Sequence, residues 1–164
     1  MARTNLRRLA LTVALVVAAL GAEAGSAHAA GATVGRWTQA VGLTGLCTVN
    51  PGGTTTCGFS GSVSSSDCKE AAGASCSATL ANVTVTGAAC SGTATSTFTF
   101  NSTALGSGHR IPVTVAMTGG AVTVDGSDGA LTVHATGAVL CPSPVAPGVT
   151  SFAVPWSGVV SLAS

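Results

Sequence analysis

Charge is what this chain has least of: 164 residues hold six Lys plus Arg and five Asp plus Glu, and tyrosine is absent altogether. With no basic patch there is nothing to hold nucleic acid or to draw the chain onto anionic lipid. Three cations, Arg3, Arg7 and Arg8, sit at the very front. Beyond residue 29, three cations (Arg36, Lys69, Arg110) face four anions (Asp67, Glu70, Asp125, Asp128), so three minus four leaves −1. No segment has a convincing helical period, and no apolar run after the first thirty residues is long enough to span a bilayer. No repeat of fixed period marks a solenoid. Scarce charge alongside many β-branched residues also excludes ordinary disorder.

What is present begins with an export signal. Arg3, Arg7 and Arg8 form a positive n-region, Leu9 to Leu20 an apolar stretch, and Ala27-His28-Ala29 a small-x-small cleavage site. This predicts a signal peptide over residues 1–29, with cleavage near Ala29, and a single secreted domain over 30–164. The predicted location is extracellular, with no transmembrane anchor once the signal is gone. Ala10 stands where a twin-arginine signal carries a bulkier apolar residue, which favours general (Sec-type) secretory export. The bias toward Ala, Gly, Thr and Val fits a GC-rich bacterial genome.

All six cysteines (Cys47, Cys57, Cys68, Cys76, Cys90, Cys141) lie beyond the signal, and an even count there predicts a disulfide framework. Sequential pairing is expected. A hairpin turned at Asn50-Pro51-Gly52-Gly53 sets Cys47 opposite Cys57. Cys68–Cys76 closes a small loop that has no strand pattern of its own. Cys90–Cys141 closes the longest loop and ties two core strands, because each shares the parity of inward residues: Phe98 and Phe100 for Cys90, Leu131 and Val133 for Cys141. The rival use of cysteine, a zinc site, needs tight Cys/His clusters. The sequence has no Cys-x-x-Cys pair and no histidine at ligand spacing from a cysteine.

Side chains of a strand alternate between two faces. In Ser91–Asn101 one face holds Ala94, Ser96, Phe98 and Phe100, and the other Thr93, Thr95, Thr97 and Thr99. Similar alternation, cut by turn residues such as Gly119-Gly120, gives strands over 32–39, 41–49, 54–63, 77–86, 91–101, 111–118, 121–125, 130–141 and 150–162. Pro142, Pro144 and Pro147 form a stiff linker, and Pro155 marks a bulge or an edge. About nine short strands at such spacing predict an all-β, disulfide-bonded, antiparallel β-sandwich, Ig-like or jelly-roll-like. Small residues at inward positions (Ala94, Ser96, Ala135, Gly137) are expected to thin its core.

Candidates for chemistry are few. His134 alternates with Thr132 and Thr136 on an outer face, and His109 lies in a Gly/Ser-rich loop beside Arg110. A serine triad needs converging Ser, His and acid. Serine is common here, but Gly58-Phe59-Ser60-Gly61 is not a nucleophile elbow. Asp67 and Glu70 share a cysteine loop. Asp125 and Asp128 share a turn that lacks the ligand count Ca²⁺ requires, and such aspartates serve hairpin turns. Asn82-Val83-Thr84 and Asn101-Ser102-Thr103 match the glycosylation sequon, which carries no weight in a bacterial chain. The threonine face (Thr84, Thr86, Thr93, Thr95, Thr97, Thr99, Thr114, Thr118, Thr132, Thr136) offers hydroxyls to a polymer or another sheet, and equally suits the wet side of any antiparallel sheet. No catalytic, cofactor-binding or metal-binding residue is assigned, and no cofactor is expected. The expectation is a non-catalytic binding or structural module, at or outside the bacterial cell surface, for an extracellular or cell-surface partner. The alternatives are a carrier of an apolar small molecule between two sheets, or an enzyme inhibitor presenting the Cys68–Cys76 loop.

Overall fold

The alternation read from the sequence becomes eight strands: β1 (Thr33–Val49), β2 (Thr54–Glu70), β3 (Ser75–Ala88), β4 (Gly92–Ser102), β5 (Gly106–Thr118), β6 (Ala121–Ser127), β7 (Leu131–Ala138) and β8 (Val149–Leu162). The structure, a computed structural model, describes residues 31–142 and 148–164, without the side chains of Ser151 and Phe152. The predicted signal peptide, and Pro144 and Pro147 of the predicted linker, lie outside the described residues.

Each strand pairs antiparallel with the next, and β8 returns to pair with β1, closing a barrel. This corrects the expected sandwich: there are not two sheets but one, rolled up. Strand number and alternation are common to both architectures. Closure depends on the first and last strands meeting, and they pair from Thr33↔Ser161 to Thr48↔Val149. Bulges in β1 help it curve into place. Trp37 pairs with Gly158 but Ala40 with Trp156, so β1 carries an extra residue there, with Gln39 at φ 53°. The bulge also flips the parity, which is why the sequence read as two strands where there is one. A longer irregularity follows in β2. The exposed run Ser64–Asp67, expected as a loop, belongs to the strand but bulges from its ladder with β3, and the Ser64 hydroxyl donates to Asp67.

Inside the barrel lies an apolar core. Trp37 stacks on Phe98 at 5.8 Å between ring centroids and meets Trp156 edge-on at 5.3 Å. Of the small residues expected inside, Ala135 and Gly137 lie against packed side chains rather than leaving a gap, while Ala94 and Ser96 are only half-buried. A Cβ on Gly158 would lie 2.7 Å from Ala135 Cβ, one on Gly137 would lie 2.9 Å from Leu43, and one on Gly61 would lie 3.2 Å from Trp156. Small and large side chains alternate in this way in the interiors of small barrels. Neither indole N–H, of Trp37 or of Trp156, finds a partner among the described residues. An unpaired buried donor costs about 1–3 kcal/mol, which the packing must offset.

An up-and-down barrel puts alternate turns at opposite rims. At one rim β1 begins, β8 ends, and the β2–β3, β4–β5 and β6–β7 turns gather. There the Glu70 carboxylate accepts from the Thr103 backbone N–H at 2.6 Å and from its hydroxyl at 2.7 Å, joining two turns. At the other rim, the described start of the β7–β8 connection, residues 139–142, is tied down as a strap. Val139 N–H donates to the Gly120 carbonyl at 2.7 Å, and Cys141 is bonded to Cys90 in the β3–β4 turn, across the mouth. Cys90 is buried as expected, but Cys141 is exposed, because β7 ends at Ala138 and the strap leaves the wall. Thr55 steadies the turn: its hydroxyl accepts from Cys90 N–H at 2.9 Å and donates to the Gly87 carbonyl at 3.0 Å. The other disulfides, Cys47–Cys57 and Cys68–Cys76, join facing residues of β1–β2 and β2–β3. Three disulfides point to an oxidising compartment.

Candidate binding groove

The outer wall carries an open depression formed by β1, β2 and β3. It begins with a glycine. Cys57 and Phe59 point inward, so Gly58 points out and leaves a gap in the middle of β2. Its register partners are Leu46 on β1 and Thr84 on β3. On β3 an extra residue between the Leu80 and Val83 pairings leaves Ala81 and Asn82 both exposed, which sets Asn82 beside Thr84. The result is an open groove of about 390 Å³ over Gly45 and Gly58, walled by Thr44, Leu46, Ser60, Asn82 and Thr84. That is the size range of small-ligand sites. Thr44 and Ser60 hydroxyls lie 2.9 Å apart, and the Asn82 amide has no hydrogen-bond partner among the described residues. No ionisable group lines the groove. Hydroxyls, one free amide and one leucine can recognise a neutral, hydrogen-bonding ligand with an apolar edge.

The residues singled out in the sequence lie elsewhere. Asp125 and His134 face each other across β6 and β7, with Oδ1 2.5 Å from Nδ1, and both are more than half exposed. An exposed pair of this kind contributes about 0–1 kcal/mol. The hydroxyls two residues to either side bond elsewhere, Thr132 to the Ser161 carbonyl at 3.4 Å and Thr136 with Ser157 at 3.5 Å. His109 lies among the first, turn-proximal residues of β5 rather than in a loop, and its Nε2 contacts the Leu105 carbonyl at 2.8 Å. Asp128 Oδ1 accepts from Leu131 and Ala130 N–H groups, and these hold its carboxyl below the ordinary range. Hydrogen bonds from Thr103 do the same for Glu70. Among the described residues no three His, Cys, Asp or Glu side chains converge as metal ligands.

The threonines do lie outward, but on a curved wall. Thr95 pairs with Thr114, Thr99 with Thr79, and Thr123 with Thr136. The Cys68–Cys76 segment is a tight hairpin, closed by Gly73 N–H to the Glu70 carbonyl at 2.9 Å, not a projecting loop. The interior, where a carried apolar molecule would sit, is occupied by the aromatic cluster. The sequence reading missed the groove. Its signal was a glycine at an outward strand position, which marks a close approach or an open site. Comparison with protein-family models, with curated proteins and with solved structures finds no match.

Proposed function

We propose that this protein is a secreted, non-catalytic binding module of a bacterial surface or its surroundings, and that the β1–β3 groove takes an uncharged ligand, with neutral glycans the first class to try. The observation that carries this reading is the groove itself: a ligand-sized depression with hydroxyl and amide walls and no charge. Export fits the signal-like front end and the oxidised cysteines.

Gly58 provides the test. A Cβ there meets nothing within 4 Å, so Gly58→Leu fills the groove from outside without disturbing the core. Neutral oligosaccharides titrated into ¹⁵N-labelled protein should shift the amides of Leu46, Ser60, Asn82 and Thr84, and Gly58→Leu should abolish the shifts. Shifts confined to another face, no response to any neutral ligand, or turnover of an added glycan would overturn the proposal.

A further inference from the structure

Strand register brings together two cations that the sequence keeps apart. Beyond the predicted signal the chain has three, Arg36, Lys69 and Arg110. Arg36 on β1 and Lys69 on β2 are direct partners across the strands, and both are exposed on the outer wall. Side chains so placed have Cβ atoms about 4.5–5.5 Å apart, and like charges there repel. The fold therefore gains nothing from setting them face to face. No carboxylate among the described residues answers them. The one ion pair there is Asp125 with His134. Asp125 does stand on the same row of the wall as Arg36, reached through Val159 and His134, but it is bonded to His134. Glu70, next to Lys69, is buried and accepts from Thr103. Asp67 accepts from the Ser64 hydroxyl. On the other side of Lys69 the row continues to its β3 partner, Ser75, whose Oγ accepts from Lys69 Nζ at 3.2 Å. That bond holds the ammonium in place, uses one of its three donors, and leaves the Ser75 hydroxyl hydrogen able to donate. Arg36, Lys69 and Ser75 thus form a row of donors across β1, β2 and β3 with no acceptor of matching charge.

We infer that this row is an anion site, taking a phosphate or sulfate group that is either free or carried on a polymer. A tetrahedral dianion matches the two cations in charge. It can take two parallel bonds from the guanidinium fork, one from the ammonium and one from the hydroxyl. A carboxylate, with a single charge, leaves one cation unanswered. Nucleic acid is a poor fit, because two cations neutralise too few backbone phosphates to hold it. The row lies near the end of β2, and the groove over Gly58 lies toward its start. The two sites are separate, and this one does not rest on the reading of the groove.

The test is titration of inorganic phosphate into the ¹⁵N-labelled, oxidised protein. The amides of Arg36, Lys69 and Ser75 should shift with a millimolar Kd, since exposed charges attract weakly, and added salt should weaken the binding. Arg36→Gln and Lys69→Gln should each weaken it roughly fivefold. Arg110→Gln, at the third cation, should leave it unchanged. Each substitution at the row relieves a repulsion between exposed side chains, so the variants should stay folded, which unchanged amide shifts elsewhere verify. Dextran sulfate, set against neutral dextran, separates the two sources. Shifts of the same amides with the sulfated polymer assign a polymer-borne group, and shifts with phosphate alone assign the free ion. No shift with either anion, the same shifts with neutral dextran, equal loss with Arg110→Gln, or shifts that survive Arg36→Gln with Lys69→Gln would overturn the inference. Gly58→Leu should leave the phosphate response intact, so the groove and the anion site can each fail without the other.

Discussion

Two glycines on the same barrel have opposite meanings, and the side of the wall decides which. Gly158 faces inward beneath Trp37, and a Cβ there would come within 2.7 Å of both the Trp37 ring and Ala135. Gly158→Ala overpacks a filled interior and should cost about 1–3 kcal/mol. Gly58→Ala enters open space and should be neutral or gain about 0.5 kcal/mol, since glycine weakens a strand interior. Urea denaturation of the two variants checks the contrast. Two carboxylates govern acid behaviour at the same scale. Glu70, bonded to Thr103, and Asp128, bonded to Leu131 and Ala130 N–H groups, both have lowered folded pKa values. Each therefore adds stability that is complete above its unfolded pKa, about 4.3 and 3.9, and is lost as pH falls through the lower folded value. Melting temperature should drop below about pH 4, and Glu70→Gln with Asp128→Asn should flatten that drop. An unchanged acid limb would show that neither carboxylate matters.

Strands differ in how openly the sequence announces them. β4 and β5 were legible because Phe98 and Phe100, or Val113 and Val115, keep one parity from end to end. β1 was not, because its bulge at Thr38–Gln39 returns Ala40 to the inner face and makes one strand look like two. The facing of Cys47 and Cys57 follows from the turn Asn50–Gly53, whose backbone bonds Gly53 N–H to the Asn50 carbonyl at 3.1 Å. That Val139 and Cys141 leave the wall after Ala138 was not legible, since they are held by the β5–β6 and β3–β4 turns rather than by a strand pattern. The Cys90–Cys141 bond closes a separation of 51 residues, against 8 for Cys68–Cys76. The chain-entropy account then makes Cys90→Ala with Cys141→Ala cost about 4 kcal/mol and Cys68→Ala with Cys76→Ala about 2.5 kcal/mol. Denaturant midpoints should rank the pairs in that order, and the reverse ranking would mean the strap adds little.

At the scale of the molecule, local pattern yields an antiparallel all-β chain but does not choose between two sheets and one closed wall. That choice rests on β1 and β8, which lie at opposite ends of the sequence and share no local signal. Closure removes both free edges, leaves a core thick enough for two tryptophans, and turns the threonine rows into a curved wet surface. The groove follows from the same geometry, since Gly58 opens a gap only when β1 and β3 flank it. The measurement that bears most directly on this account is the cross-strand NOE pattern of the oxidised protein in solution. Contacts linking Thr44 with Ala153, and Gly35 with Val160, are predicted, together with slow amide exchange along β1 and β8. Absence of those contacts, with fast exchange along both strands, would mean an open-edged sheet and contradict the barrel.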